Sequence, residues 1–189
     1  MFSGLINGGE VVLYSEWNTK LNFTALSHFS NPTFDNLMIV DNSTGGTGDG
    51  AGIFINEGVV SISNSTFSGN SAIKWGGGLF IQQNSVVTID NCTFIDNSVS
   101  YNEGGAIAYI NNVDLNVSNS IFKNNTAVDT GGALFSNVSS SGLFEYCLFK
   151  GNYSNVEGGA YKGVDHIYGE FKQSTIADNT MNYNQNSTY

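Results

Sequence analysis

The chain has 189 residues, a length typical of a single domain. Its 40% hydrophobic residues can fill a core although Asn, Ser and Gly are abundant. Sixteen acidic residues against six lysines, with no Arg, give a net charge of −10, which excludes a nucleic-acid-binding face and attachment to an anionic membrane by charge. No stretch reaches the roughly 18 apolar residues of a membrane span, so no span is expected in this chain.

A phrase of the form F-x-x-N or I-x-x-N recurs along the chain at a nearly constant interval. Its first residue, here called the lead residue, is apolar in every copy, and the steps between copies are 28, 27, 28, 27 and 27 residues. A fixed period of this size is typical of a solenoid, in which each unit covers only its neighbours. We predict that the lead residues stack as one buried ladder: Ile39, Phe67, Phe94, Phe122, Phe149 and Ile176.

The segment before each lead residue has a period of two. The residue five positions earlier is apolar in all copies, and its neighbours are mostly polar, which indicates a half-buried strand rather than a helix. Burial of these side chains would add a second ladder beside the first. The positions are Phe34, Ile62, Ile89, Val117, Phe144 and Phe171.

The last residue of the phrase is Asn in every copy. Asn tolerates the left-handed backbone conformation, and its amide can hydrogen-bond to the Asn of the coils above and below. This position therefore predicts a structural ladder in a turn. Its members are Asn42, Asn70, Asn97, Asn125, Asn152 and Asn179.

Small residues followed by a large apolar one come six to eight positions after the Asn, as in Gly104-Gly105-Ala106-Ile107. Glycines permit a tight corner and a close approach of neighbouring chain segments. The segment between the Asn and this corner varies in sequence, as loops that carry function do. We predict that Trp75, Tyr101 and Tyr153 project from this edge and bind a partner. The alternative is that these aromatics pack against the scaffold.

Two or three short strands fit into each repeat, with no room for helices of ordinary length. The sequence thus predicts an all-β fold, a right-handed single-stranded parallel β-helix (solenoid) of about six coils of 27–28 residues. Residues 34–180 form the coils, and residues 1–33 form a degenerate coil or cap with an insertion. Residues 181–189 form a tail or a truncated next coil, so the chain is expected to be part of a longer protein and to continue end to end with further coils.

The two phrases, in register over several copies, resemble the repeats of the polymorphic outer membrane proteins of chlamydiae. Similar repeats occur in other surface proteins, including those of some protists. The resemblance covers about residues 35–180. It implies a right-handed parallel β-helix that is exported to a cell surface and acts in adhesion.

The two cysteines are predicted to be unpaired. Cys92 and Cys147 occupy the same position two coils apart, which separates their Cα atoms by about twice the ~4.8 Å strand spacing. A disulfide requires less than about 7 Å. Both thiols are expected to be small buried hydrophobes.

N-x-S/T triplets are frequent, and those on outward or loop positions are candidate N-glycosylation sites if the source is eukaryotic. The triplets at Asn42 and Asn152 fall on the ladder and should be inaccessible. The candidate sites are Asn64, Asn91, Asn116 and Asn137.

The sequence contains few candidate catalytic or metal-binding groups. Acidic positions alternate with neutral ones along two turns, as at Asp35, Ser63 and Asp90, which is typical of a solvated face that limits repulsion. A weak calcium site there is the alternative. We predict a non-enzymatic surface or secreted module without cofactor or metal, whose partner is a surface protein or glycan. The alternative function is a polysaccharide lyase or hydrolase acting on acidic glycans.

Overall fold

The computed structural model describes residues 32–44, 48–165 and 168–182, together with the backbone of Val12–Leu13 and Leu21–Asn22. These parts of the chain form 24 short β-strands. Each strand pairs in parallel with its counterparts one coil earlier and later, so four parallel sheets run the length of the molecule. The prediction of an all-β parallel β-helix of about six coils is confirmed. None of the described residues forms a helix that could cross a membrane.

Each complete coil carries four strands, whereas we predicted two or three. The fourth strand is only two residues long, which is too short to show a period in the sequence. Sheet 1 contains β2 Leu21–Asn22, β5 Ile53–Asn56, β9 Leu79–Gln82, β13 Ile107–Ile110, β17 Leu134–Asn137 and β21 Tyr161–Val164. Sheet 2 contains β3 Thr33–Asp35, β6 Val59–Ser63, β10 Val86–Asp90, β14 Asp114–Ser118, β18 Ser141–Glu145 and β22 Tyr168–Lys172. Sheet 3 contains β1 Val12–Leu13, β4 Met38–Val40, β7 Thr66–Ser68, β11 Thr93–Ile95, β15 Ile121–Lys123, β19 Leu148–Lys150 and β23 Thr175–Ala177. Sheet 4 contains β8 Ser71–Ala72, β12 Ser98–Val99, β16 Thr126–Ala127, β20 Tyr153–Ser154 and β24 Thr180–Met181.

The lead residues form the predicted ladder inside sheet 3. Phe94 pairs with Phe67 on one side and with Phe122 on the other. The ring centroids are 4.5 and 5.0 Å apart, and the rings are stacked and fully buried. Since burial of a Phe side chain contributes roughly 1.5–3 kcal/mol, this ladder is a main source of stability.

The Asn ladder runs beside it. Asn125 donates from its backbone N–H and from Nδ2 to Asn152 Oδ1, both at 2.9 Å, and Nδ2 also donates to Phe94 O at 3.0 Å. The same bonds join consecutive members from Asn42 to Asn179. Our assignment of the left-handed conformation to these Asn residues is wrong. The turn is made one residue earlier, so that the Asn side chain can point inward: Asp41, Gly69, Asp96, Asn124, Gly151 and Asp178 have positive φ.

The glycine corner follows sheet 4 and leads into sheet 1. Gly104 has a φ of 73°, and a Cβ there would lie 2.6 Å from Ile107 O. A Cβ on Gly105 would collide with the carbonyl oxygen of Gly132 in the next coil. In this coil the corner therefore requires glycine at both positions, because backbone packs directly on backbone.

The interior balances large and small residues between facing sheets. Tyr109 points inward from sheet 1 and is fully buried. Its hydroxyl lies against Gly142 of the next coil, where a Cβ would collide with it. Gly142 holds the inward position that Val87 and Leu115 hold in earlier coils. Because the core is close-packed, the large Tyr is accommodated by loss of a side chain opposite.

The two cysteines lie in the interior and are free, as predicted. Burial raises the pKa of the Cys92 thiol to about 11 and also raises the pKa of the Cys147 thiol. Both thiols are therefore protonated, unreactive packing groups in the folded protein.

Candidate functional site

The variable segments form one edge of the molecule, made of the sheet 4 strands and the residues that follow them up to the glycine corner. We call this the loop edge; its members are residues 71–75, 98–103, 126–130 and 153–157. The last residues of these segments still pair in parallel, Trp75 with Glu103 and Thr130 with Glu157. The loop edge is thus a regular stack, in which a residue that departs from the repeat stands out.

Tyr101 is such a residue. The segment 98–103 has six residues, whereas the other three segments have five. The consecutive residues Val128 and Asp129 of the next coil donate backbone hydrogen bonds to Val99 O and Asn102 O, both at 3.1 Å. The additional residue is therefore extruded between these two bonds. Tyr101 lies there and is 70% exposed.

Trp75 does not project into solvent. Its ring centroid lies 6.2 Å from that of Phe80 and 5.5 Å from that of Phe135, on the outer face of sheet 1. Ala108 pairs with both phenylalanines and lies between them. The small side chain of Ala108 leaves a gap that the indole of Trp75 covers. For Trp75, the structure therefore supports the alternative of packing against the scaffold.

Tyr153 is less exposed than Tyr101, but it does not pack into an aromatic cluster as Trp75 does. It is half-buried at the first position of its sheet 4 strand, where the other coils have Ser71, Ser98 and Thr126. Its hydroxyl donates to Asn155 Oδ1 at 2.8 Å within the same segment. The phenol ring thus remains on the loop edge, and its role in binding stays a prediction.

A comparison with protein families identifies the architecture. The family described as right handed beta helix region matches residues 25–187. The chain belongs to the right-handed β-helix family. Comparisons with curated proteins and with solved structures found no match.

One carboxyl group on the loop edge of this β-helix has a raised pKa. Glu103 lies next to Trp75 on the loop edge, and burial, assisted by the negative charge of Asp129, raises the pKa of Glu103 to about 7. On the loop edge, Glu103 Oε2 and Thr130 Oγ1 are buried without a hydrogen-bond partner. Glu103 therefore exchanges a proton near neutral pH, a property that the sequence pattern did not predict.

The turn between sheets 2 and 3, across the coil from the loop edge, holds ordered carboxylates. Asp90 Oδ1 accepts hydrogen bonds from Ser118 Oγ at 2.6 Å and from Asn119 Nδ2 at 2.7 Å. These bonds stabilise the charged form and lower the pKa of Asp90. Asp35 repeats the arrangement with Ser63 and Asn64 two coils earlier, and its pKa is lowered in the same way. Within the described residues, His, Cys, Asp and Glu form no group of three that could hold a metal ion.

The candidate glycosylation sites differ in exposure. Asn64 and Asn91 are exposed in the turn between sheets 2 and 3, and Asn116 and Asn137 are partly exposed on sheets 2 and 1. Asn42 and Asn152, which also begin N-x-S/T triplets, are buried in the ladder as expected. Use of the four candidate sites stays a prediction.

Sequence reasoning missed two sets of residues. One is the apolar cluster on the outer face of sheet 1, formed by Phe54, Phe80, Ala108 and Phe135. The sequence contained a sign of this cluster, because the second residue of the sheet 1 strand is Phe in three of these four coils. The other is Tyr146, which has a φ of 56° in a position where four other coils have Asn.

Proposed function

We propose that the protein is a non-enzymatic module of the cell surface or the extracellular space. Its loop edge binds a protein or glycan of a host or neighbouring cell. The observation that carries this proposal is Tyr101, an additional residue that is 70% exposed. The three other segments of the loop edge close with one residue fewer, so the scaffold does not require a tyrosine there. Exposed aromatic residues on a rigid frame are typical of binding surfaces.

The neighbours of Tyr101 extend the proposed surface. Val128 and Val156, in the same region of the next two coils, are exposed. Tyr153 adds a second aromatic ring with a polar tip. Because consecutive coils are ~4.8 Å apart, a partner that lies along the edge gains contacts coil by coil.

The surface location is supported by the repeat phrases, which resemble those of the chlamydial polymorphic outer membrane proteins. The exposed triplets at Asn64 and Asn91 suit a glycoprotein. Ile176 and Met181 are 52% and 56% exposed, although the residues paired with them in the preceding coil point into the interior. This exposed apolar surface suits end-to-end stacking with a further coil.

The test compares the parent with a variant that lacks Tyr101 and carries Tyr153→Ser. Removal of Tyr101 restores the loop length of the neighbouring coils, and Ser already holds the Tyr153 position in three coils, at Ser43, Ser71 and Ser98. The variant should therefore keep the parent's melting temperature within a few degrees. Labelled protein is added to cultured cells and binding is measured by flow cytometry.

We expect the variant to bind at least tenfold more weakly than the parent. The control is Thr88→Ala, which removes an exposed side chain on the outer face of sheet 2, away from the loop edge. Binding by the control should equal that of the parent. Equal binding by parent, control and loop-edge variant would show that the proposed surface is wrong.

A second candidate function is glycoside hydrolysis, which Glu103 specifically favours. A carboxyl group whose pKa is raised to about 7 can act as a general acid, and Asp129 lies near enough to influence it. The parent would be incubated with uronate-containing and neutral polysaccharides and assayed for new reducing ends. Turnover that disappears in Glu103→Gln would replace our proposal with an enzyme.

A further inference from the structure

The turn between sheets 2 and 3 presents one residue per coil in the left-handed conformation. We call these six residues the turn row, and their φ angles lie between 47° and 56°. Asn is well suited to this conformation, but a bulky side chain is not. The row consists of Asn36, Asn64, Asn91, Asn119, Tyr146 and Gln173.

Tyr146 is therefore the exception in the row. It is 59% exposed. Its backbone N–H donates to Lys172 O at 3.0 Å, a bond that any residue in this position could make, proline excepted. Neither the backbone conformation nor the packing explains a tyrosine here, whereas an Asn would fit the turn better.

The amide beside Tyr146 is held in a fixed orientation. Asn119, one coil earlier, donates from Nδ2 to Asp90 Oδ1 at 2.7 Å. Side chains that are already ordered lose less conformational entropy when a ligand binds. This part of the row thus combines an exposed aromatic ring with a preorganised amide group.

We propose that the part of the turn row from Asn119 to Gln173, which contains none of the candidate glycosylation sites, binds an extended, neutral glycan chain, with the Tyr146 ring as a platform for one sugar. An aromatic ring covers the apolar C–H face of a sugar, and amides donate to and accept from hydroxyl groups. The coils repeat every ~4.8 Å, which is close to the advance of an extended polysaccharide per sugar. Asp90, which accepts from Asn119, lies beside this part of the row and disfavours an anionic chain. The charge of Glu145 is balanced by Lys172, whose Nζ lies 3.9 Å from Glu145 Oε1.

This site is separate from the loop edge, because the two lie on different corners of the coil. The glycan site could therefore exist even if the loop edge binds nothing. If both exist, one module can bridge two partners.

The test uses Tyr146→Asn in protein produced in bacteria, which carries no N-glycans at Asn64 or Asn91. The probes are neutral polysaccharides, namely glucans, mannans and galactans, first on an array and then by calorimetry. Asn relieves the unfavourable φ, so the variant should melt at the same temperature as the parent or higher. We expect its affinity for the glycan to fall at least tenfold.

A structural role for Tyr146 predicts the opposite pattern, a lower melting temperature with unchanged glycan affinity. That result would overturn the proposal. So would a parent protein that binds none of the neutral polysaccharides, including one that binds only proteins or only uronate chains. Thr88→Ala, which removes an exposed side chain on the outer face of sheet 2, is the control, and it should retain full glycan affinity.

Discussion

Asn97 Oδ1 accepts two hydrogen bonds from Asn70, which lies one coil earlier. The backbone N–H of Asn70 donates at 3.1 Å and Nδ2 at 2.9 Å. Nδ2 of Asn70 also donates to Ile39 O, at 2.8 Å. Each ladder amide therefore ties together three consecutive coils inside the molecule, where water does not compete.

Replacing Asn97 with Ala should destabilise the protein strongly. It removes the acceptor of the Asn70 N–H and the donor to Phe67 O. A buried polar group left without a partner costs about 1–3 kcal/mol, so we expect a loss of roughly 3 kcal/mol or more in the free energy of unfolding. Urea denaturation measures it.

The control for the ladder is Asn124→Gly in the exposed turn. Gly69 and Gly151 already stand at this position in other coils, and glycine adopts the positive φ of the turn without strain. This substitution should change the free energy of unfolding little. Equal effects of Asn97→Ala and Asn124→Gly would contradict the role assigned to the ladder.

Trp75→Ala should also destabilise, because the indole covers the gap above Ala108 between Phe80 and Phe135. Trp75 is only partly buried, so the expected loss is about 2 kcal/mol. Tyr101→Ala is the comparison on the same edge and should stay within about 0.5 kcal/mol of the parent. Thermal unfolding of both variants provides the measurement. An unchanged melting temperature for Trp75→Ala would mean that the indole is a surface group.

Glu103 should make stability fall as the pH rises towards neutrality. Its pKa is about 7 in the folded protein and has an ordinary value of 4.5, so between these values the folded state holds a proton that the unfolded chain has released. Stability therefore decreases with pH in this window, and the penalty is complete above about pH 7. Melting temperatures of Glu103→Gln should lack this slope and exceed those of the parent at pH 8. Glu57→Gln is the matched control, since Gln83 holds the equivalent position in the next coil, and it should keep the slope of the parent.

The two thiols should react only when the protein unfolds. Their burial both blocks access and raises the pKa of Cys92 to about 11, so little thiolate exists at pH 8. A thiol reagent should label neither cysteine quickly in the native protein and both in urea without reductant. Fast labelling of the native protein would contradict the inward position of Cys92 and Cys147.

Much of the fold could be predicted because the residues that define it repeat. Phe67 and Phe94 are one repeat length apart in the sequence. Residues at equivalent positions of successive coils therefore stack on one another. The number of strands was missed because Ser98–Val99 is too short to show a period. The place of the left-handed residue was missed because Asn fits both the turn and the ladder, and only the geometry separates them.

The candidate site was less predictable, since it depends on departures from the repeat. The length of segment 98–103 shows that it contains an additional residue. It does not show that Tyr101 is the residue that the fold exposes. The packing of Trp75 depends on Ala108, which lies in another coil, on the outer face of sheet 1 between Phe80 and Phe135. The raised pKa of Glu103 follows from its burial, and no local sequence signal reports that burial.

Each coil of this β-helix is an interchangeable unit, and a coil deletion tests this directly. Removing residues 144–170 joins Leu143 to Phe171, which pairs with Phe144 in the intact protein, so every later residue keeps its inward or outward position. Removing residues 144–169 instead places Glu170 in the buried position of Phe144. Far-UV circular dichroism and urea unfolding of both proteins provide the measurement. We predict a folded β-protein with cooperative unfolding for the first deletion and loss of structure for the second. Loss of structure in both, or in neither, would contradict the interchangeability of the coils.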